Sequence, residues 1–502
     1  MILPHADDSK ISGRALDAVI VGSGPNGLTA GIVLSAHGLR VKIIEARDTP
    51  GGGLRSGALT LPGYIHDHCS AVHPIGYLSP VFKALGLERY GLEWCHSEVS
   101  AAHPLESGDA VLLQRSLEAT AADLGRDRDR YLNTLGPLLE NFDRILKDVL
   151  EPPGFNKAFV PLARFGSKGL FPASALANCL FRDERAKALF AGCAAHSILP
   201  LDMLGTAAVG LIFLLAGHKA DWPIAKGGSG EIAKALVRAF EHAGGEIECG
   251  REVLTFSELP KASLYLFDLS PDQLMRINKD QLPPRYCKQL QHYRYGPAVF
   301  KIDYALSEPI PWQDSRCGGA STVHVGGTMD EIKQSERDAW DGRPNDNPFV
   351  MVCQQSHFDG SRAPEGKATG YAYCHVPFGS KMDRVDAIEK QIERFAPGFR
   401  DCIIQRHTMT PRDLELYNPS NFGGTITGGA ATIRQLLFRP ALRIDPYSTP
   451  NKQIFICSHA TPPGGGVHGM CGFNAARSVL KRLGVPYDHS ALSNLKSQSP
   501  ET

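Results

Sequence analysis

The chain has 502 residues, 43% of them hydrophobic, enough for two large domains or three ordinary ones around a sizeable core. Lys and Arg number 53 and Asp and Glu also 53, and this zero net charge argues against an electrostatic nucleic-acid binder. Twelve cysteines without a C-x-x-C pair argue against a disulfide scaffold, a zinc ribbon or a thioredoxin-like redox couple, and predict reduced thiols in the cytoplasm.

The first fifteen residues carry Asp7 and Asp8 and have no apolar centre, so they do not read as a secretory signal. Residues 17–21 (DAVIV) form a short β-branched run that predicts a buried parallel strand. It meets Gly22-Ser-Gly24-Pro-Asn-Gly27, and helical spacing continues over 28–37 until Gly38 stops it. A second strand follows at 40–45, ending on Glu45. This is a βαβ unit with G-x-G-x-x-G between strand and helix. Gly22 makes the tight turn, Gly24 admits a pyrophosphate to the backbone, and Gly27 lets the helix pack on the strand. Amides at the helix N-terminus then face the phosphates. Glu45 stands where a carboxylate accepts hydrogen bonds from both adenosine ribose hydroxyls and repels a 2′-phosphate.

Residues 64–74 crowd His66, His68 and His73 around Asp67 and Cys69. H-x-H without a third ligand set is a poor metal site, and Asp67 reads as structural. The charge run 126–130 reads as a solvated helix face, and 130–150 as one amphipathic stretch. Residues 204–216 form the most apolar run, about thirteen residues against the roughly twenty that span a bilayer. It packs as an ordinary core helix, or it lines an apolar tunnel or a membrane-touching surface. Strand-like segments recur at 298–304 and 349–353. Near the end, a strand at 453–457 runs into Thr461-Pro-Pro-Gly464-Gly465-Gly466-Val467-His468-Gly469 and a helix over 470–483. The residues from 490 on are polar and read as a frayed tail. No G-x-S-x-G elbow or Walker lysine competes with the dinucleotide reading.

The Gly51-Gly52-Gly53-Leu-Arg55 segment after Glu45 resembles the flavoproteins in which a Gly-Gly pair lets the chain pass close to the flavin diphosphate. The 461–469 turn is similar to the C-terminal flavin signature of the phytoene desaturase and carotenoid isomerase family. Pro462 stands where that family often has His, and Gly53 where Arg commonly follows the glycine pair. Lys226-Gly-Gly-Ser-Gly230 with Ala243-Gly-Gly245 resembles the family's re-entry into the FAD domain, with a strand pair over 253–268. Asp67-His-Cys69, His73-Pro74, Tyr295-Gly-Pro297 and the triple glycine resemble most the phytoene dehydrogenase-related subgroup. Some members of that subgroup carry the label pyridine nucleotide-disulfide oxidoreductase domain-containing.

The resemblance implies an α/β protein: a Rossmann-like FAD-binding domain of the glutathione-reductase and amine-oxidase type, with an inserted α+β substrate domain. The FAD domain would comprise 12–75, 225–270 and 440–485; the substrate domain 76–224 and 271–439; and a flexible tail 486–502. FAD would be held by Gly22, Gly24, Pro25, Asn26 and Gly27 and by Glu45, Ala46 and Arg47. Gly52, Gly53, Leu54 and Arg55 would border its diphosphate, and Thr461, Gly464, Gly465, Gly466 and Val467 its ring. His459 and His468 are the candidates for chemistry beside the ring. The implied activity is oxidation of C–C bonds in a lipophilic isoprenoid or polyene substrate, with an electron acceptor and oligomeric state that stay open. A redox-neutral cis-trans isomerase and a non-catalytic flavin-carrying binding or assembly protein are the alternatives, and peripheral membrane contact is a further expectation for the chain.

Overall fold

The computed structural model describes residues 15–152 and 159–497. Its first sheet contains β1 (Leu16–Val21), β2 (Val41–Ile44), β3 (Glu246–Glu248), β4 (Ala262–Phe267) and β5 (Ile454–Ile456). The spatial order is β5-β4-β1-β2-β3 and every pairing is parallel. Ala18, Val19 and Ile20 at its centre are fully buried, which is why β1 reads as a continuous apolar run rather than an alternating one. Helix α1 (Pro25–Ala36), helix α2 (Gly230–His242) and helix α3 (Met470–Leu483) pack together beside it. Residues Asn26 to Ser35 of α1 are all buried, because α2 and α3 press on it from different sides. The crossing of α1 and α3 is tight: a Cβ on Gly472 would stand 1.9 Å from the Asn26 carbonyl oxygen.

The second sheet has seven strands in the spatial order Ile403–Met409, Ala298–Leu306, Ala368–Val376, Val350–Cys353, Ala320–Val325, Val99–Pro104 and Ala110–Gln114. Its pairings are antiparallel except that of Ala320–Val325 with Val99–Pro104. Every residue of Ala298–Leu306 is buried, Lys301 and Asp303 included. The Thr206–Ala220 helix contains most of the apolar run. Its Leu211, Leu214 and Leu215 are fully buried in the main core, whereas Ala208, Val209, Ile212 and Phe213 face a cavity.

Three expectations change. Residues 253–268 hold one strand, β4, not a pair; β4 lies between β1 and β5, the preceding strand β3 pairs with β2 instead, and Thr255 opens a short 3₁₀ turn between β3 and β4. The 130–150 stretch is two helices, Arg128–Leu139 and Phe142–Leu150, divided at Glu140 and Asn141 just past Pro137. The 486–502 segment is not simply a tail: His489–Ser497 is helical. Leu492 there is buried in the main core, and Tyr487 stacks on His37 at 5.2 Å, apolar anchors that outweigh the polar composition. Residues 498–502 lie outside the described part.

Gly472→Ala should test the helix crossing. Its methyl cannot fit without separating α1 from α3, and overpacking of this kind costs about 1–3 kcal/mol. Calorimetry should show a lowered Tm; an unchanged Tm refutes the close crossing.

Candidate active site

The site begins where β1 stops. Gly22 sits at φ +98°, and a Cβ there would lie 3.0 Å from the Asp268 carbonyl oxygen, so the turn is closed to other residues. A Cβ on Gly27 would lie 2.2 Å from the Gly22 oxygen, so α1 can start only because nothing projects there. Gly52 approaches from the opposite side, its Cβ position 2.9 Å from the Gly24 Cα. Two bare backbone turns therefore face each other over the first amides of α1, where an anion is favoured.

Glu45, 7% exposed, closes one end. Its Oε2 accepts from the Ser23 amide at 3.0 Å and from the Ser23 hydroxyl, and its Oε1 accepts from the Arg47 amide at 2.9 Å. Arg55 lies 3.6 Å from Glu45 and donates to the carbonyls of Thr49 and Gly52, each at 2.6 Å. Its guanidinium sits 5.7 Å from the centre of the Tyr417 ring. Held at so many points, Arg55 presents a fixed cation beside the glycine turn.

The C-terminal turn closes the other end. A Cβ on Gly465 would lie 2.4 Å from the Thr427 oxygen, which keeps this turn against 427–429. Thr461 is fully buried and donates its hydroxyl to the Ser458 carbonyl at 2.8 Å. Arg439, 1% exposed, donates to the Tyr293 hydroxyl at 2.7 Å and to the carbonyls of Ala460 and Gly428. The sequence reading missed this arginine; a lone Arg before a proline gives no periodic signal.

Both candidate histidines face the cavity and both are held neutral. Burial pushes each down to about 4. His468 Nδ1 accepts from the Met470 amide at 3.1 Å, so that nitrogen carries no proton and braces the start of α3. His459 Nε2 has no partner among the described residues. The other histidines diverge. His66 bonds Thr60 at 2.8 Å, His68 donates to the Arg55 carbonyl at 3.0 Å, and His73 bonds Ser229 at 2.9 Å. Asp67 pairs with the buried Arg362 and accepts from Ser56 and the Ser229 amide, each at 2.7 Å. Among the described residues no group of His, Cys, Asp or Glu is arranged to hold a metal.

One cavity of about 680 Å³ joins these parts. Gly22, Gly24, Pro25, Asn26, Glu45, Ala46 and Arg47 line one end of it, and Gly52, Gly53, Leu54 and Arg55 its flank. Gly465, Gly466, Val467, His459 and His468 line the part beyond. Gly27, Thr461 and Gly464 do not line it; they support the turns from behind. The cavity then continues against Ile212, Phe213, Trp222 and Tyr373, an apolar wall. Lys301 also lines it, 4.5 Å from the Tyr371 ring centre and paired with Asp303. Burial raises the Asp303 carboxyl, but Lys301, His407 and His66 outweigh it and leave it below the usual value. Two charges spaced i, i+2 in the apolar 298–304 segment were the available sequence signal for this pair, and the sequence reading passed over it.

A family model described as NAD(P)-binding Rossmann-like domain matches residues 20–85. The chain is 24% identical to a rat protein named pyridine nucleotide-disulfide oxidoreductase domain-containing protein 2, over 93% of this chain and 94% of that one. It is 20% identical to one of the subunits of limonene dehydrogenase from Castellaniella defragrans, over 94% and 96% of the two chains. Among solved structures, putrescine oxidase bound to putrescine superposes with a TM-score of 0.60 at 19% identity, over 93% and 99%. The fold is that of the amine-oxidase-type flavoproteins. The cradle fits FAD: two side-chain-free turns for a diphosphate, a carboxylate for the ribose, and a cavity that runs on past both. All twelve cysteines are unpaired.

Asp268 was missed as a site residue. It follows β4, lines the cavity, and accepts from the Gly27 amide at 2.9 Å at the mouth of α1. Burial raises it to about 7, the Glu45 charge adds to this, and the Gly27 and Gly24 amides oppose it. With a folded value above the unfolded 3.8, its contribution to stability declines as pH rises from about 4 to about 7. The same anion opposes a diphosphate. FAD should therefore bind more tightly at pH 6 than at pH 8.5, by up to about tenfold, and Asp268→Asn should remove the difference. Flavin fluorescence titration of the apoprotein reads this; pH-independent binding in the unaltered protein defeats it.

Proposed function

We propose that the protein is an FAD-dependent oxidoreductase that dehydrogenates a C–C bond of a lipophilic, isoprenoid or polyene molecule. The observation that carries this is the unbroken path from the glycine cradle to the wall of Ile212, Phe213, Trp222 and Tyr373. FAD, when bound there, supplies a two-electron acceptor for the hydrogen removed. The chain's own residues do the rest. The turns at 22–27, 51–55 and 464–469 fix the cofactor, and the apolar wall strips water from the substrate at about 25 cal/mol per Å². His459 and His468 stay uncharged, so they keep the path apolar instead of acting as strong acids. The limonene dehydrogenase relative, whose name specifies a lipophilic terpene, supports the substrate class.

The mouth of the cavity supports the same reading. Leu436 lines the cavity and begins an exposed run, Leu436, Leu437 and Phe438, continued by Leu442 and Ile444. Leu204 is 61% exposed, and a Cβ on Gly205 beside it would lie 3.1 Å from the Ile433 side chain. An apolar surface of this extent at a cavity mouth suits a lipid surface that holds the substrate. No helix among the described residues is long and apolar enough to cross a membrane, so the contact proposed is peripheral.

Two measurements test these statements. Under anaerobic conditions a panel of polyenes and terpenes should bleach the bound flavin. Phe213→Asp should stop the bleaching while the protein stays folded and yellow, since Phe213 lines the cavity and is only partly buried against the core. Bleaching by none of the panel removes the reading, and turnover without an electron acceptor converts it to isomerisation. Separately, the protein should co-sediment with phosphatidylcholine–phosphatidylglycerol vesicles, and Leu437→Glu with Phe438→Glu should abolish this. Equal sedimentation of the double variant excludes the membrane contact at this face.

A further inference from the structure

The apolar wall contains one polar side chain with an unusual partner. His196 follows the Glu184–Ala195 helix and lines the cavity. Its ring stacks on Phe213 at 4.3 Å and meets the edge of Trp222 at 5.4 Å, so both neighbours fix its plane. Its Nε2 stands 3.0 Å from Nε2 of His324, a fully buried residue of the Ala320–Val325 strand. Two facing ring nitrogens at this distance need one proton between them, so one ring donates and the other accepts.

The packing around His324 decides which. Its Nδ1 has no hydrogen-bond partner among the described residues. It also abuts Gly192 so closely that a Cβ there would lie 2.6 Å away, which leaves no room for a partner on that side. A buried N–H without an acceptor is costlier than a bare ring nitrogen, so the proton of His324 belongs on Nε2. His324 then donates to His196 Nε2, and His196 must carry its own proton on Nδ1. Burial pushes His196 down to about 3 and His324 well below its usual value, so both rings are neutral. No described residue accepts from His196 Nδ1, that atom is not sealed in as His324 Nδ1 is, and His196 lines the cavity.

We infer that His196 Nδ1–H is a substrate-recognition donor, and that the lipophilic substrate carries an oxygen acceptor, a carbonyl or hydroxyl, which this group positions. The inference rests on the proposed lipophilic cavity and narrows its ligand class. A donor fixed between aromatic rings discriminates between ligands, because one without the acceptor leaves the N–H unpaired. Gly192 and His324 are positioning residues in this arrangement; only His196 touches the ligand.

Carvone and limonene share a carbon skeleton and differ by one carbonyl oxygen, which makes them a matched pair of probes. Their dissociation constants for the FAD-bound protein can be read from perturbation of the flavin spectrum. His196→Phe should weaken carvone by about three- to tenfold and leave limonene unchanged. His196→Asn, whose side-chain N–H can take the place of Nδ1–H, should retain most of the carvone affinity. If the Phe variant does not fold, His196→Ala against His196→Asn makes the same comparison. Equal weakening of both probes overturns the inference and leaves the lipophilic cavity standing. A shifted flavin spectrum in the ligand-free variant with no change for carvone assigns the donor to the cofactor and also overturns it. Binding of neither probe to the unaltered protein defeats the lipophilic reading and the inference together.

Discussion

Everything in the site depends on how closely two backbone turns can approach each other. The Gly52 turn packs on the Gly24 turn, which it can do because Gly52 carries no Cβ, and both turns line the cavity. The Gly24 turn is fixed from behind. Gly27 lets α1 press on the Gly22 turn, and Gly472 lets α3 press on α1. The amides at the start of α1 are thereby held at one place relative to Glu45 at the end of β2. A diphosphate would meet a preformed pocket of oriented N–H groups rather than a flexible loop, and that preorganisation lowers the entropic cost of binding.

Charge, and not only apolar packing, holds the apolar wall in line with this cradle. The short hairpin Ser56–Gly57 with His66–Asp67 belongs to the loop region next to the glycine turn. Asp67 pairs with Arg362, which also donates to the Ile65 carbonyl, and His66 lies 3.8 Å from Asp303 on the second sheet. Removing one partner of such a buried pair costs about 3–5 kcal/mol, far more than an exposed pair. A buried ion pair therefore pins the loop region beside the cradle, in addition to apolar packing. An apolar wall alone would slide more easily.

The βαβ unit was legible because its signals are local: β-branched strand, glycine spacing, helix, acid. The strand-turn-helix at 454–483 was legible for the same reason, and helix α3 spans the predicted residues. What stayed hidden is what only tertiary contact creates. Asp268 looks like the end of a strand until β4 is placed beside β1 in parallel register, which sets its carboxylate against the Gly27 amide. Arg439 and His196 gain their roles from partners about 150 and 130 positions away in the chain, Tyr293 and His324. The apolar run at 204–216 did not choose among its readings because its helix serves both core and cavity. One side of its helix is core and the other faces the cavity, and a nearly uniform apolar composition hides that division.

The parallel sheet also has an order of assembly written into it. β1 pairs with β2 at once, but its other neighbour is β4, beginning at Ala262, and β4 in turn waits for β5 at Ile454. Contacts spanning such loops form slowly and expose unpaired strand edges meanwhile. On the ribosome, the amino-terminal βαβ unit would emerge long before the residues that complete its sheet. The nascent chain must remain open along the β1 edge until most of its length has been made. A protein built this way acquires its cofactor late, and a chaperone that shields a strand edge would serve it better than one that shields a helix.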